Sequence, residues 1–285
     1  MTILTGKARL AGITGWPVAH SRSPRLHGFW LERYDIDGAY VPLPIEPQHF
    51  TGAIKGLMWA GFAGVNCTIP HKVAAFEVCD TVEDSARRAG AVNTLVFRDG
   101  RIIGSNTDGW GFLENLRAHG VDPAGGPALL LGAGGSARAI GAVLLDLGVR
   151  VTLANRTRAN AERLARDLPG LTVIDWERRE DALADHALVV NTTSRGMTGH
   201  EPLDLDLGRA GSGLTVADIV YVPLETPLLA AARARGLRCV EGLGMLLYQA
   251  IPGFRAWFGA DPVVDDALRR FVAADLLPQW NNQVE

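Results

Sequence analysis

The chain has 285 residues, a formal net charge of −3, 47% hydrophobic and 21% charged residues. That length suggests about two domains with a substantial core. The near-neutral balance gives no reason to expect a nucleic-acid or membrane partner. Three cysteines, Cys67, Cys79 and Cys239, form no C-x-x-C pair and no disulfide framework, and no histidine pair has helical zinc spacing, so no metal is expected. The N-terminus lacks a signal-peptide pattern and no 18-residue apolar run occurs, so the expectation is a cytoplasmic protein. Only Lys7, Lys55 and Lys72 are lysines among 28 basic residues.

The first third alternates short apolar runs with helical patterns, as α/β folds do. Strands are predicted at Arg9–Thr14, Ala39–Pro42, Gly64–Thr68, Thr94–Phe97 and Arg101–Ile103, and helices at Pro24–Tyr34, Pro47–Trp59 and Val82–Ala89. Ser23 before Pro24 reads as a helix cap, with Ser21 and Ser23 placed to present hydroxyls to a small carboxylate. Ordinary capping is the plainer reading of two serines alone. Asn66, Thr68 and Lys72 fall at or just past a strand end, and Asn93 and Asp108 sit at the edges of short strands. Such a polar lining suits a small hydroxylated ligand.

A turn cluster at Gly120–Pro127 opens a second α/β unit. Its strands are predicted at Ala128–Leu131, Arg150–Ala154, Leu171–Ile174, Ala187–Asn191, Leu214–Ile219 and Leu237–Val240, with helices running to about Leu147 and over Arg158–Leu168. Gly132-Ala133-Gly134-Gly135-Ser136-Ala137 lies between strand and helix as G-x-G-x-x-A. The glycines allow backbone approach to a pyrophosphate, and the helix N-terminus supplies free N–H groups. NAD sites carry an acid at the end of the next strand; here stand Asn155-Arg156-Thr157-Arg158. Two guanidinium groups suit a 2′-phosphate, so NADP(H) is the predicted cofactor; the alternative is that both arginines face solvent. The last forty or so residues read as helical, with Pro252 a kink or break.

These segments together resemble the shikimate/quinate dehydrogenase family nearly end to end. The resemblance is carried by His20–Pro24, Asn66-x-Thr68-x-Pro70-x-Lys72, Ala91–Thr94, Asn106–Gly109, the glycine loop, Asn155–Thr157, and Gly242–Leu246 with Gln249. It implies reversible NADPH-dependent reduction of 3-dehydroshikimate to shikimate, a step toward chorismate and the aromatic amino acids. It implies Lys72 as acid/base paired with Asp108, and Ser21 and Ser23 on the substrate carboxylate. Thr68, Asn93, Asp108 and Gln249 would bind ring hydroxyls, with Tyr221 close by. Gly132–Ser136, including Ala133, Gly134 and Gly135, would take the pyrophosphate. Asn155, Arg156, Thr157, Arg158 and Asn160 would form the 2′-phosphate region, and Ile219 and Gly242 would flank the nicotinamide. Asp84 stands where the family has an acid near the cofactor.

The implied architecture is an α/β substrate domain, 1–110 with 245–285, and a Rossmann-type NADP domain, 111–244, the C-terminal helices returning to the first domain. A homodimer is allowed. Gly28, Val222, Arg195 and Asn160 depart from the family's common residues. The last leaves Arg158 as the alternative second phosphate arginine. Two rival readings remain: an NAD-preferring quinate/shikimate dehydrogenase, against which Asn155–Thr157 argues, and a non-catalytic NADP-binding sensor.

Overall fold

The computed structural model describes residues 3–276. Two six-stranded sheets succeed one another along the chain. The first contains β1 (Arg9–Gly15), β2 (Gly38–Pro44), β3 (Gly64–Cys67), β4 (Thr81–Val82), β5 (Thr94–Arg98) and β6 (Arg101–Ser105), in the order β2-β1-β3-β5-β6-β4. β5 runs antiparallel to β3 and β6, so its first residue, Thr94, lies opposite Asn66 and Ser105. The C-terminal ends of β1, β3 and β6 and the start of β5 therefore share one edge.

The second sheet contains β7 (Ala128–Leu131), β8 (Val151–Ala154), β9 (Leu171–Ile174), β10 (Leu188–Asn191), β11 (Thr215–Asp218) and β12 (Arg238–Val240). All are parallel, in the order β12-β11-β10-β7-β8-β9. This is the Rossmann order, with its switch point between β7 and β10. Both faces are buried, which is why its strands read as apolar runs. Leu130 packs with Ile140 and Leu153 on one face, and Leu129 and Leu131 with Val189 and Val216 on the other.

Helices α1 (Ser23–Arg33), α2 (Phe50–Trp59), α3 (Lys72–Val78), α4 (Asp84–Ala89) and α5 (Asp108–Ala118) belong to the first half of the chain; α6 (Gly135–Asp146), α7 (Arg158–Asp167), α8 (Arg179–Ala182) and α9 (Pro227–Ala234) accompany the second sheet. α10 (Gly242–Phe258) and α11 (Asp266–Ala273) follow. α10 returns to the first sheet: Leu247, Phe254 and Trp257 pack with Ala11, Ile13 and Trp30. Met245, on the same helix, joins the core of the second sheet, as do Phe112 and Leu116 of α5. α10 thus reaches both cores, and α5, which begins at the first sheet's edge with Asp108, packs on it.

Several local expectations are corrected. Thr81 and Val82 are a short strand paired with Ile103 and Gly104, not the start of α4, because two β-branched residues fit a ladder better than a helix turn. Pro47–His49 is a separate 3₁₀ turn before α2. α1 begins at Ser23 itself; Arg22 is the cap residue, and the Ser21 hydroxyl accepts the Ser23 N–H at 3.3 Å. α3, α5, α8 and α9 were not expected. α10 continues through Pro252 and ends at Gly259, in the left-handed region at φ 76°. The terminal segment is interrupted before α11, and residues 277–285 lie outside the described residues.

Candidate active site and dinucleotide site

The first sheet's edge gathers a buried polar cluster. Lys72, the first residue of α3, donates from Nζ to Asp108 Oδ2 at 2.5 Å. Asp108, the first residue of α5, is held on its other oxygen by Asn93 Nδ2 at 2.7 Å, and its own N–H donates to Asn106 Oδ1. Asn93 Oδ1 accepts the Thr107 N–H at 2.9 Å and the Thr94 hydroxyl at 2.9 Å. Gln249, from α10, brings Oε1 to 3.4 Å from the Thr107 hydroxyl and 3.5 Å from Asn93 Nδ2. Asn93, Thr94 and Thr107 are at most 5% exposed, whereas the Lys72 side chain is 27% exposed, so the ammonium is the part of the cluster that opens outward.

The cluster extends toward α1. Asn66 Nδ2 donates to the Asn93 carbonyl and the Thr94 hydroxyl, both at 3.1 Å, and Asn66 Oδ1 accepts the Tyr40 hydroxyl at 2.6 Å. Burial pushes the Tyr40 phenol well up, against a hydrogen bond with Ser23 that draws it down. A continuous polar chain thus runs Tyr40–Asn66–Asn93–Asp108–Lys72. Thr68 follows β3, its N–H on the Thr14 carbonyl. Ser21 is part-exposed, and Arg22 between the two serines grips Asp275 and the Val272 carbonyl. Tyr221 is half-buried against the first core, its phenol pushed up by burial. Asn66 was read as part of the polar lining but given no role of its own, and Tyr40 and Thr107 were not singled out; for Thr107, its position inside a quoted motif was the available signal.

At the second sheet, β7 runs into Gly132, which has φ +111°. A Cβ there would meet Thr192 Oγ1 at 2.7 Å and Thr193 Cγ2 at 2.8 Å. Gly134 and Gly135 face open space, and α6 starts at Gly135 with no side-chain cap, leaving its first N–H groups to an outside acceptor. Ala133 and Ser136 are partly exposed there. Such an uncapped 12-residue helix fits a pyrophosphate. Asn155 folds the next turn by donating to the Thr157 carbonyl at 2.8 Å. Arg156 is exposed and makes no hydrogen bond or ion pair among the described residues. Arg158 instead bonds Glu162 at 2.8 Å and Asp175, and Asn160 accepts from Arg163.

Ile219 and Gly242 are brought together: a Cβ on Gly242 would lie 2.4 Å from the Ile219 carbonyl oxygen. Gln249 is seven residues further along α10, two turns and about 10 Å away on the same helix face. One helix therefore joins Gly242, packed against Ile219, to the Asn93–Asp108 cluster. A feature that sequence reading missed supports these loops. Buried Asp218 accepts from Asn191, the Val220 N–H and Thr226, tying the ends of β10 and β11 together, while burial holds its carboxyl above the usual range. Asp84 is not brought in: its side chain is fully exposed and pairs with Arg87 one turn on. Among the described residues no cluster of three or more His, Cys, Asp and Glu could hold a metal ion, and no helix is long and apolar enough to cross a membrane.

Residues 13–95 match the family model described as the shikimate dehydrogenase substrate binding domain. A shikimate dehydrogenase (NADP(+)) of Acidiphilium cryptum is 70% identical over 96% of this chain and 99% of its own length. One from Paramagnetospirillum magneticum is 57% identical over 94% of this chain and 99% of its own length. The shikimate 5-dehydrogenase of Thermus thermophilus, solved in complex with NADP(H) and shikimate, superposes with a TM-score of 0.85 at 37% identity, covering 94% of this chain and all of that one.

Proposed function

The chain belongs to the shikimate dehydrogenase family, and we propose on that premise that it interconverts 3-dehydroshikimate and shikimate with NADP(H). The observation that carries the reading is the Lys72–Asp108–Asn93 cluster at the edge of the first sheet, joined by α10 to the loops of the second. We assign substrate binding to 1–110 with 245–285, and cofactor binding to 111–244. These boundaries fall within the first turns of α5 and α10, two helices that pack on each other.

When bound, NADPH supplies the hydride that adds to the ketone carbon. Negative charge then builds on the ketone oxygen, and the part-exposed Lys72 ammonium is placed to stabilise it and donate its proton. In the reverse direction the Lys72 amine takes the proton from the hydroxyl. Asp108 orients Nζ, and Asn93 fixes Asp108 by donating to the oxygen Lys72 does not use. Ser21 and Ser23 hold the substrate carboxylate, and Thr68, Asn93, Gln249 and Tyr221 surround the ring hydroxyls. The open N-terminus of α6 takes the pyrophosphate, and Arg156 the 2′-phosphate.

The test is the initial rate of shikimate oxidation by purified protein, with NADP⁺ and NAD⁺ compared and quinate as the second acid. Turnover is expected with shikimate and NADP⁺ above every other pair. No oxidation at any pH overturns the enzyme reading, and faster turnover with quinate and NAD⁺ overturns the substrate and cofactor assignment.

A further inference from the structure

The adenosine end of the second sheet contains an acid that the Asn155–Arg158 motif alone does not reveal. Ala154 of β8 pairs with Ile174 of β9 as the last residues of the two parallel strands. The residues that follow, Asn155 and Asp175, therefore leave the sheet side by side, about 4.8 Å apart across the ladder. An NAD site carries its acid at the first of these two places. This chain carries Asn155 there and has a carboxylate one strand over.

That carboxylate is engaged with the motif's second arginine. Arg158 Nη1 donates to Asp175 Oδ1, and Arg158 Nε donates to Glu162 Oε1 at 2.8 Å. Arg158 is thus tied along two of its donor positions, by one acid across the ladder and one acid a helical turn away. Arg156 has no such partner among the described residues. Two guanidinium groups meet two carboxylates, so the local charge that a 2′-phosphate encounters is balanced, and Arg156 is left to meet it alone.

We infer that Asp175 is a specificity-determining residue: by holding Arg158 off the 2′-phosphate, it limits the preference of this site for NADP(H) over NAD(H). The inference rests on the NADP reading of the site. Asp175 touches neither reacting atoms nor substrate; it acts through Arg158. The pair is exposed, 51% and 56% for the two side chains, so breaking it costs the fold little. Once released, the guanidinium fork gains a doubly charged acceptor in place of a singly charged one.

The experiment is calorimetric titration of the full-length protein with NADPH and with NADH, for wild type, D175N, R158A and the double variant. D175N is expected to tighten NADPH binding about three- to tenfold, the range of one exposed charge-assisted contact, with NADH unchanged. In the R158A background the gain is expected to vanish. Unchanged or weaker NADPH binding by D175N shows that Asp175 orients Arg158 toward the phosphate or is indifferent to it, and overturns the inference. A gain of equal size in the R158A background shows bare charge repulsion and overturns the route through Arg158. An equal gain for NADH overturns the specificity role. Failure of wild type to prefer NADPH over NADH sinks the underlying cofactor reading, and is seen before any variant is compared.

Discussion

His27 sets the acid limit of the substrate-side core. Its ring is fully buried, neither nitrogen has a hydrogen-bond partner, and it stacks on Tyr40 with centroids 3.9 Å apart. Trp30, Phe254 and Trp257 complete the aromatic surround. Burial lowers its pKa to about 3. The unfolded chain takes up a proton on this ring below about pH 6.5, while the folded chain does not until about pH 3. Stability contributed by the neutral ring is therefore present above pH 6.5 and lost as pH falls toward 3. At pH 5 the loss is about 2 kcal/mol relative to pH 7.5, from 1.4 kcal/mol per unit between pH 6.5 and 5. His27→Phe keeps an aromatic ring and removes the titration. Its absolute stability will shift with packing, so the readout is the change between the two pH values. Urea unfolding followed by tryptophan fluorescence at pH 7.5 and pH 5 should show the variant losing about 2 kcal/mol less than wild type. Equal losses in the two proteins would show that His27 is protonated or hydrated in the folded core, and would refute the argument.

Lys72→Ala should lower kcat for shikimate oxidation by at least about 10²-fold, the lower range for a lost acid/base; NADPH affinity by titration should be unchanged, and survival of activity would remove Lys72 from the mechanism. Asn93→Leu strands the buried Thr107 N–H and the Asp108 oxygen, so urea unfolding should show a loss of about 2 kcal/mol or more; wild-type stability would mean that Asn93 is not the hub of the cluster. Arg156→Ala should weaken NADPH binding at least about tenfold and leave NADH binding alone; unchanged discrimination would move the 2′-phosphate to another group, Arg158 first.

The strands other than β4 were legible because both sheets are built from apolar runs closed by turn residues. Four helices escaped notice, α3, α5, α8 and α9, and two of them begin on the pair proposed to react: α3 at Lys72 and α5 at Asp108. An acid in the first helical turn agrees with the helix dipole, but a lysine there opposes it, so the sequence before and at Lys72 reads as loop. Local conflict of that kind is tolerated where chemistry needs the group. For Asp84, its place in a pattern said nothing about which way the side chain faces; it faces solvent beside Arg87. The Arg158–Asp175 pair depends on the register between β8 and β9, and a residue 17 positions away carries no local signal of that register. The buried knot at Asp218 was hidden likewise, since its partners come from β10 and the start of α9.

The scarcity of lysine acquires a physical meaning at this point. Every ion pair among the described residues uses arginine or histidine as the cation except one, Lys72–Asp108. Lys7 and Lys55 are exposed and unpaired in that set. An arginine in place of Lys72 would keep the charge and offer Asp108 more donors. It would not release a proton, because a guanidinium stays protonated in proteins. A site that only had to hold a carboxylate or an oxyanion could have used arginine, as the rest of this chain does. In the proposed mechanism, proton transfer in both directions is the requirement that separates the two residues. Lys72→Arg should therefore bind shikimate with near wild-type affinity yet turn over as slowly as Lys72→Ala. Recovery of turnover in the arginine variant would show that charge alone, not proton exchange, is what position 72 supplies.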